Sequence, residues 1–356
     1  MRESDSAQDA AARRLPAGVG AALLAAALFG AGTPLAKALM GGVGPWMLAG
    51  LLYLGSGLGL AALRRVRRAP AARLEPGEWP WLAGAVAAGG VAGPVLLMFG
   101  LSGMPASGAS LLLNAEGVFT ALLAWFAFKE NFDRRIALGM LAIVAGAIVL
   151  SWPGETRFSN VWPALAVLGA CLAWGVDNNL TRKVSLADAT WAAMVKGLAA
   201  GSVNLAIAVA IEPRMPAWST LAGSAVLGFF SYGISLTLFV VALRHLGTAR
   251  TGAYFSVAPF FGATLAVLVL GESVTSALLV AGALMAFGVW LHLSERHGHA
   301  HTHEVTEHDH EHEHDVHHDH HPAGQTSAVR HTHRHRHTPM PHSHEHFPDE
   351  HHRHSH

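Results

Sequence analysis

Ten stretches of about twenty mostly apolar residues follow one another along the first 293 positions, each long enough to cross a bilayer as a helix. They run approximately 17–39, 45–63, 79–101, 105–128, 136–152, 160–181, 189–211, 217–243, 250–270 and 274–293. Loop chemistry separates them: Gly41-Gly42 with Pro45, Arg64 to Glu78, Met104-Pro105, Lys129 to Arg135, Pro153-Gly154, Arg182 to Asp188, Glu212 to Pro216, Arg244 to Arg250, and Gly271-Glu272-Ser273. A water-soluble domain of this size could not shield ten such helices. Charged residues are 13% of the chain, against roughly a quarter in an ordinary soluble domain. A soluble enzyme and a nucleic-acid binder are thereby disfavoured. The single cysteine, Cys171, lies inside an apolar run and can make neither an intrachain disulfide nor a thiolate cluster.

The zero net charge is the sum of two unlike parts. Residues 1–296 hold 20 Lys+Arg and 14 acids, net +6, whereas the last 60 hold 10 acids, 4 Arg and 23 of the 25 His, net −6. Lysine and arginine also set the orientation, because they collect in cytoplasmic loops. With the N-terminus inside, the inner segments before the tail hold 15 and the outer loops two, Arg157 and Arg214. Both ends are therefore expected in the cytoplasm. Arg13-Arg14, the run from Val19 to Phe29 and Ala36-Lys37-Ala38 imitate a secretory signal, but the repeat described next needs this helix.

Leu101 to Val149 aligns with Leu243 to Leu291 at a shift of 142, which sets Glu130 on Glu272. Upstream, Leu28-Phe29-Gly30 falls on Ala173-Trp174-Gly175 and Trp46 on Trp191 at a shift of 145. Each half holds five spans, an odd number, so the halves insert in opposite senses. Inverted repeats are characteristic of secondary transporters, with the substrate site near the midplane. The spans contain no paired metal-ligand motif, no nucleophile elbow and no phosphate-binding loop, and the chain is not expected to be an enzyme.

Ten spans in two five-helix halves, short loops, Trp174-Gly175 in the sixth span and Gly271-Glu272 between the last two resemble the EamA-type transporters of the drug/metabolite transporter superfamily. The string from Trp174 to Ser185, WGVDNNLTRKVS, is similar to one bacterial branch of that group. The resemblance covers about residues 17–293. It implies an all-α membrane fold with a central cavity and alternating access. It also implies a small metabolite moved across the bacterial inner membrane, more often outward, without ATP. The expected organisation is a cytoplasmic segment 1–16, repeats over 17–152 and 160–293, and a disordered tail over 297–356. Expected partners are the lipid bilayer and a small-molecule or ion substrate, with no nucleic acid, and a homodimer is the candidate assembly.

Charged and polar residues within spans are costly and mark candidate sites. Glu116 in the fourth span reads either as a protonatable coupling site or as a buried carboxyl held by hydrogen bonds. Asn114, two residues away, points to nearly the opposite face and reads as a cavity or packing wall. Asp177 and Lys196 reach similar depth on sequential helices and are expected to pair, either as a structural lock or as part of the cavity mouth with Asn178 and Asn179. Asn204 shares a helical face with Lys196 and Ala200. Pro34, set by the repeat on Asn179, frees a backbone carbonyl, and a break or kink is expected in the first and sixth spans. Family resemblance places those two spans beside the cavity. Tyr232 and Tyr254 are weaker candidates. Gly55 with Gly59, Gly89 with Gly93 and Gly197 with Gly201 have the spacing of close helix packing.

From His297 the tail alternates histidine with other residues: His297, His299, His301 and His303, then His308, His310, His312 and His314, then the cluster His317, His318, His320 and His321. Imidazole with interleaved carboxylates suits zinc, nickel, cobalt or copper(II). No cofactor is expected for transport itself. Two readings follow: a metabolite transporter whose tail binds metal, or a transporter of nickel, cobalt or zinc.

Overall fold

The computed structural model describes residues 17–69, 74, 76–128, 134–151, 161–181, 184, 188–211, 215–246, 248–293, 298–302, 307–312, 331–336 and 341–345. The chain divides into two units, Met1–Ser294 and Glu295–His356.

Among the described residues of the first unit the regular elements are all helices. Its first half runs α1 Ala17–Leu39, α2 Pro45–Val66, α3 Trp79–Ala85, a π-helical segment Val86–Ala92, α4 Gly93–Gly103, α5 Ala106–Leu112, α6 Ala115–Phe128 and α7 Arg134–Ser151. The second half repeats that order: α8 Trp162–Thr181, α9 Ala189–Ile211, α10 Trp218–Gly228, a π-helical segment Phe229–Ile234, α11 Ser235–Leu246, α12 Thr248–Phe255, α13 Ala258–Leu270 and α14 Ser276–Leu293. Pro45 opens a helix, where the missing N–H costs nothing, whereas Pro94 follows directly on the π segment at the start of α4.

Six helical stretches of the described residues are long and apolar enough to cross a membrane: Gly18–Gly42, Pro45–Val66, Trp79–Gly103, Ala106–Leu123, Thr190–Ile211 and Trp218–Ala242. Ala137–Ser151, Ala258–Leu270 and Ser276–Leu291 are shorter apolar helices. Large apolar side chains face outward, among them Leu141 at 63%, Leu268 at 75% and Leu279 at 64% exposure, a surface that suits lipid rather than water.

Two expectations about helix continuity are corrected. The fourth span is broken at Leu113-Asn114, and the first and sixth are not broken at all. The fourth breaks because Asn114 competes for its own backbone. Its Nδ2 donates to the Leu111 carbonyl at 2.9 Å, and the Asn114 and Glu116 amides bond three residues back, at 3.1 and 3.0 Å. The ninth breaks at the matching place, Ser256-Val257, ahead of Pro259, which has no N–H to give. By contrast α1 passes unbroken through buried Pro34.

Shared landmarks relate the halves. Val86 and Ala92 bound one π segment, and Phe229 and Ile234 bound the other, shifts of 143 and 142. A Cβ on Gly175 would sit 3.1 Å from the Thr120 amide, and one on Gly30 would sit 3.1 Å from the Gly262 amide. Those pairs are related by shifts of 145 and 142. Across the halves α2 and α9 pack tightly through glycine: a Cβ on Gly57 would lie 2.5 Å from the Leu198 amide.

In the second unit the described residues form four short strands, β1 Gly298–Thr302, β2 Glu307–His312, β3 His331–Arg336 and β4 Pro341–Glu345, with β1 antiparallel to β4 and β2 to β3. These segments are extended and paired. Histidine at every second position is a period-two pattern, which an extended ladder accommodates.

Candidate functional site

The third span sets the site. Pro94 supplies no N–H, so the carbonyls four and five residues before it, Gly90 and Gly89, lack the partner that an α- or π-helical turn would give them. Side chains from three other helices bond them instead. Tyr53 of α2 donates from its hydroxyl to the Gly89 carbonyl at 2.8 Å, and Trp174 of α8 donates from Nε1 to the same oxygen at 2.9 Å. Asn204 of α9 donates from Nδ2 to the Gly90 carbonyl at 3.1 Å. The Oδ1 of Asn204 is buried without a partner among the described residues.

Against this segment lies an ion pair. Lys196 Nζ donates to both oxygens of Asp177, at 2.5 and 2.6 Å, and Thr181 donates to Asp177 Oδ1 at 2.8 Å. Asp177 is only 6% exposed, and a buried charge needs such partners. The carboxylate occupies the space above Gly89, where any Cβ would come within 1.9 Å of Oδ2. Gly93 is likewise covered by the Trp174 ring, 2.8 Å from where its Cβ would be. The Gly89–Gly93 pair thus carries the site, unlike Gly197 and Gly201, which serve close packing on α2.

One residue further along α8, Asn178 turns toward α6. Its Nδ2 donates to Glu116 Oε1 at 2.9 Å and to Thr120 Oγ1 at 3.2 Å. Asn179 donates to the Thr120 carbonyl at 3.2 Å and to the Gly175 carbonyl at 2.9 Å. Asp177, Lys196 and Asn204 are therefore drawn together on α8 and α9 around the first π segment, and Asn178 and Asn179, next along α8, meet Glu116 and Thr120 of α6. Glu116 is half-buried and Asn178 exposed.

The remaining candidates lie elsewhere. Asn114 is buried in packing, its Nδ2 3.9 Å from Met285 Sδ. Tyr232 belongs to an aromatic cluster, with ring centroids 5.5 Å from Tyr53 and 5.9 Å from Phe29. Phe255 continues that cluster, 5.3 Å from Phe29, and half-buried Tyr254 precedes it in α12. Pro34 makes no break. In the tail, β1 holds His299 and His301 and β2 holds His308, His310 and His312. His297, His303, His314, His317, His318, His320, His321 and the loop residue Glu130 fall outside the described residues.

Sequence reasoning missed Tyr53, Trp174, Thr120 and Thr181 as partners. A signal was present: two consecutive glycines followed four residues later by proline demand donors for two carbonyls.

A family model described as "EamA-like transporter family" matches the chain twice, over residues 16–152 and 161–294. The chain belongs to that family. It is a multi-pass membrane protein of the drug/metabolite transporter superfamily. An uncharacterized transporter from Methanothermobacter thermautotrophicus is 31% identical over 210 residues, 56% of this chain and 60% of that protein, so the chain spans less than two thirds of it. A probable amino-acid metabolite efflux pump from Salmonella typhimurium is 24% identical over 207 residues, 54% of this chain and 68% of the pump. A probable terminal-alkyne amino-acid exporter from Streptantibioticus cattleyicolor is 28% identical over 260 residues, covering 70% of this chain and 84% of the exporter. One solved crystal structure superposes with a TM-score of 0.58 at 20% identity, over 77% of this chain and 95% of that one, a likeness of fold.

Proposed function

We propose that this EamA-family transporter is a secondary transporter of the bacterial inner membrane. Ten spans form two inverted five-helix repeats, and both termini are cytoplasmic. The chain exports a small metabolite by alternating access. The observation that carries this reading is the recurrence of helix interruptions at matched places in both halves, with one set meeting buried charge. Broken helices at corresponding positions mark substrate sites in such transporters, and π segments concentrate at functional sites. The Asp177–Lys196 pair and the Glu116–Asn178–Thr120 group are the substrate and coupling residues of this proposal. The names of the Salmonella and Streptantibioticus relatives support an amino-acid-like cargo.

The test compares cells making the full chain, Asp177→Asn or Glu116→Gln with empty cells, all loaded with amino acids. Internal and external pools are read by mass spectrometry. The expected outcome is a lower internal pool of at least one solute with the full chain, lost in both variants. Equal pools of every solute in full-chain and empty cells would overturn export.

The tail is proposed to bind a divalent transition metal. Cross-strand register supports this, setting His308, His310 and His312 opposite His335, His333 and His331, and His299 and His301 opposite His344 and His342. The alternative, a nickel, cobalt or zinc ion as cargo, rests on the same tail. Cellular metal content separates the two when the chain is stopped after Arg296. A change in one metal that survives truncation but vanishes with Glu116→Gln favours metal cargo.

A further inference from the structure

The turn between α4 and α5 is held by two charged residues, one from each half of the chain. A helix end followed at once by a helix start exposes carbonyls on one side and amides on the other, and Pro105 between them has no amide to offer. Lys37, near the end of α1, donates from Nζ to the carbonyls of Leu101 and Met104, the latter at 3.2 Å. Glu272, in the turn after α13, accepts from the Ala106 amide at 2.7 Å through Oε1 and from the Ser107 amide at 2.8 Å through Oε2. The cation sits at a helix C-terminus and the anion at a helix N-terminus, the signs that the helix dipoles favour.

The packing behind this turn differs between the halves. Every residue of α5 is buried, and it packs on α13, where the Ser110 hydroxyl would lie 2.7 Å from a Cβ on Gly262. The shift of 142 sets Ser110 on Gly252 of α12. Gly252 is exposed, and a Cβ there would meet nothing within 4 Å. Gly117, at the start of α6, is exposed in the same way. Among the described residues α12 makes no packing on α6 to match that of α5 on α13. The fourth and ninth spans are thus closed on each other at the Met104-Pro105 end, through α5 and α13, without a matching closure of α6 and α12 at the other.

We propose that Lys37 and Glu272 are the latch of the outer gate, holding this end shut in an inward-open state and releasing when the transporter turns outward. The word outer rests on the orientation proposed above; the latch itself does not. A reporter thiol tests it without knowledge of the cargo. In the full chain with Cys171→Ala, Ser110→Cys places a thiol one turn behind the latch, and Ala200→Cys places a control at a buried position of α9. Both are challenged with a membrane-impermeant sulfonated maleimide on right-side-out and inside-out vesicles. Glu272→Ala and Lys37→Met are each expected to raise labelling of the Ser110→Cys chain from outside by about tenfold, the scale of a lost charge-assisted bond. The Ala200→Cys control is expected to stay protected. Unchanged labelling at position 110 from either face would overturn the latch. A parallel rise at position 200 would also overturn it, since the pair would then hold the whole fold. A rise at position 110 from the cytoplasmic face alone would keep the latch and overturn the orientation.

Discussion

The two π segments occupy matched positions in the halves, yet their surroundings have opposite chemistry. Around Val86–Ala92 the shift of 145 pairs Tyr53, Trp174 and Asn204 with Leu198, Phe29 and Gly59 of the other half. Three polar donors on the first segment thus become two apolar side chains and a bare glycine at the second. Over Gly59 lies the ring of Phe229, 2.0 Å from where a Cβ would be. The counterparts of Asp177 and Lys196 are Gly32 and Leu51, which carry no charge. Pro94 has no counterpart either: Thr237 stands at the shift of 143 and donates to the Gly233 carbonyl at 3.1 Å. The duplicated backbone supplies two interruptions, and side-chain divergence has made one a charged site and the other an aromatic packing surface.

Replacing one charge is the most severe way to test that contrast. Asp177→Asn leaves Lys196 buried without its counter-ion and is expected to cost about 3–5 kcal/mol. The double change with Lys196→Met should recover most of the loss in thermal unfolding in detergent. Recovery in stability without recovery of export would separate the pair's structural role from its transport role. Next in size is Gly89→Ala, whose methyl meets the Asp177 carboxylate and should cost about 1–3 kcal/mol by overpacking. Gly233→Ala in the second segment has 3.3 Å to its nearest neighbour and should be milder; equal costs would erase the distinction between the segments. Trp174→Phe or Tyr53→Phe alone leaves the Gly89 carbonyl one donor. The double variant strands it and should cost about 1–3 kcal/mol more than the sum of the singles. An additive result would show that the carbonyl does not depend on these two donors.

The sequence reveals more of the scaffold than of the site. Apolar length places the spans, because the period and extent of hydrophobicity are properties of each segment alone. The depth argument that paired Asp177 with Lys196 needed only helix rise and two span ends. Asn204 on the face of Lys196 likewise followed from periodicity. What escaped was long-range. Nothing local to Tyr53 or Trp174 says that a carbonyl on another helix waits for a donor. Nor does Glu272, in a three-residue turn, announce the amides of Ala106 and Ser107, more than 160 residues away. Pro34 misled because a proline inside a helix removes one bond without having to end the helix, whereas Asn114 ended one by donating to the Leu111 carbonyl three residues back.

The smallest effect is expected at the loop edge, where the halves also differ. Arg64 Nη1 and Asp188 Oδ2 are 2.5 Å apart, tying the end of α2 to the start of α9, and Asp188 Oδ1 accepts from the Thr190 and Trp191 amides at 2.9 and 3.2 Å. The matched positions at the shift of 145 are Val209 and Val43, so this tie too has no twin. Burial raises the Asp188 pKa, but the hydrogen bonds and the guanidinium charge outweigh it, and the carboxyl lies below its usual value. A depressed folded pKa stabilises above the unfolded one, and that contribution fades as pH falls through the folded value. With the Asp188 side chain 31% exposed, solvent screening limits the pair to about 0.2–1 kcal/mol. Asp188→Asn should lower the unfolding midpoint slightly at pH 7, and the gap from the parent should close as the pH drops below about 4. A gap that holds constant down to pH 3 would assign the effect to the helix cap, which asparagine keeps in part, rather than to charge. A Val43→Asp, Val209→Arg variant sharpens the comparison: if a matching tie forms between the end of α9 and the start of α2, it should add a similar pH-dependent increment.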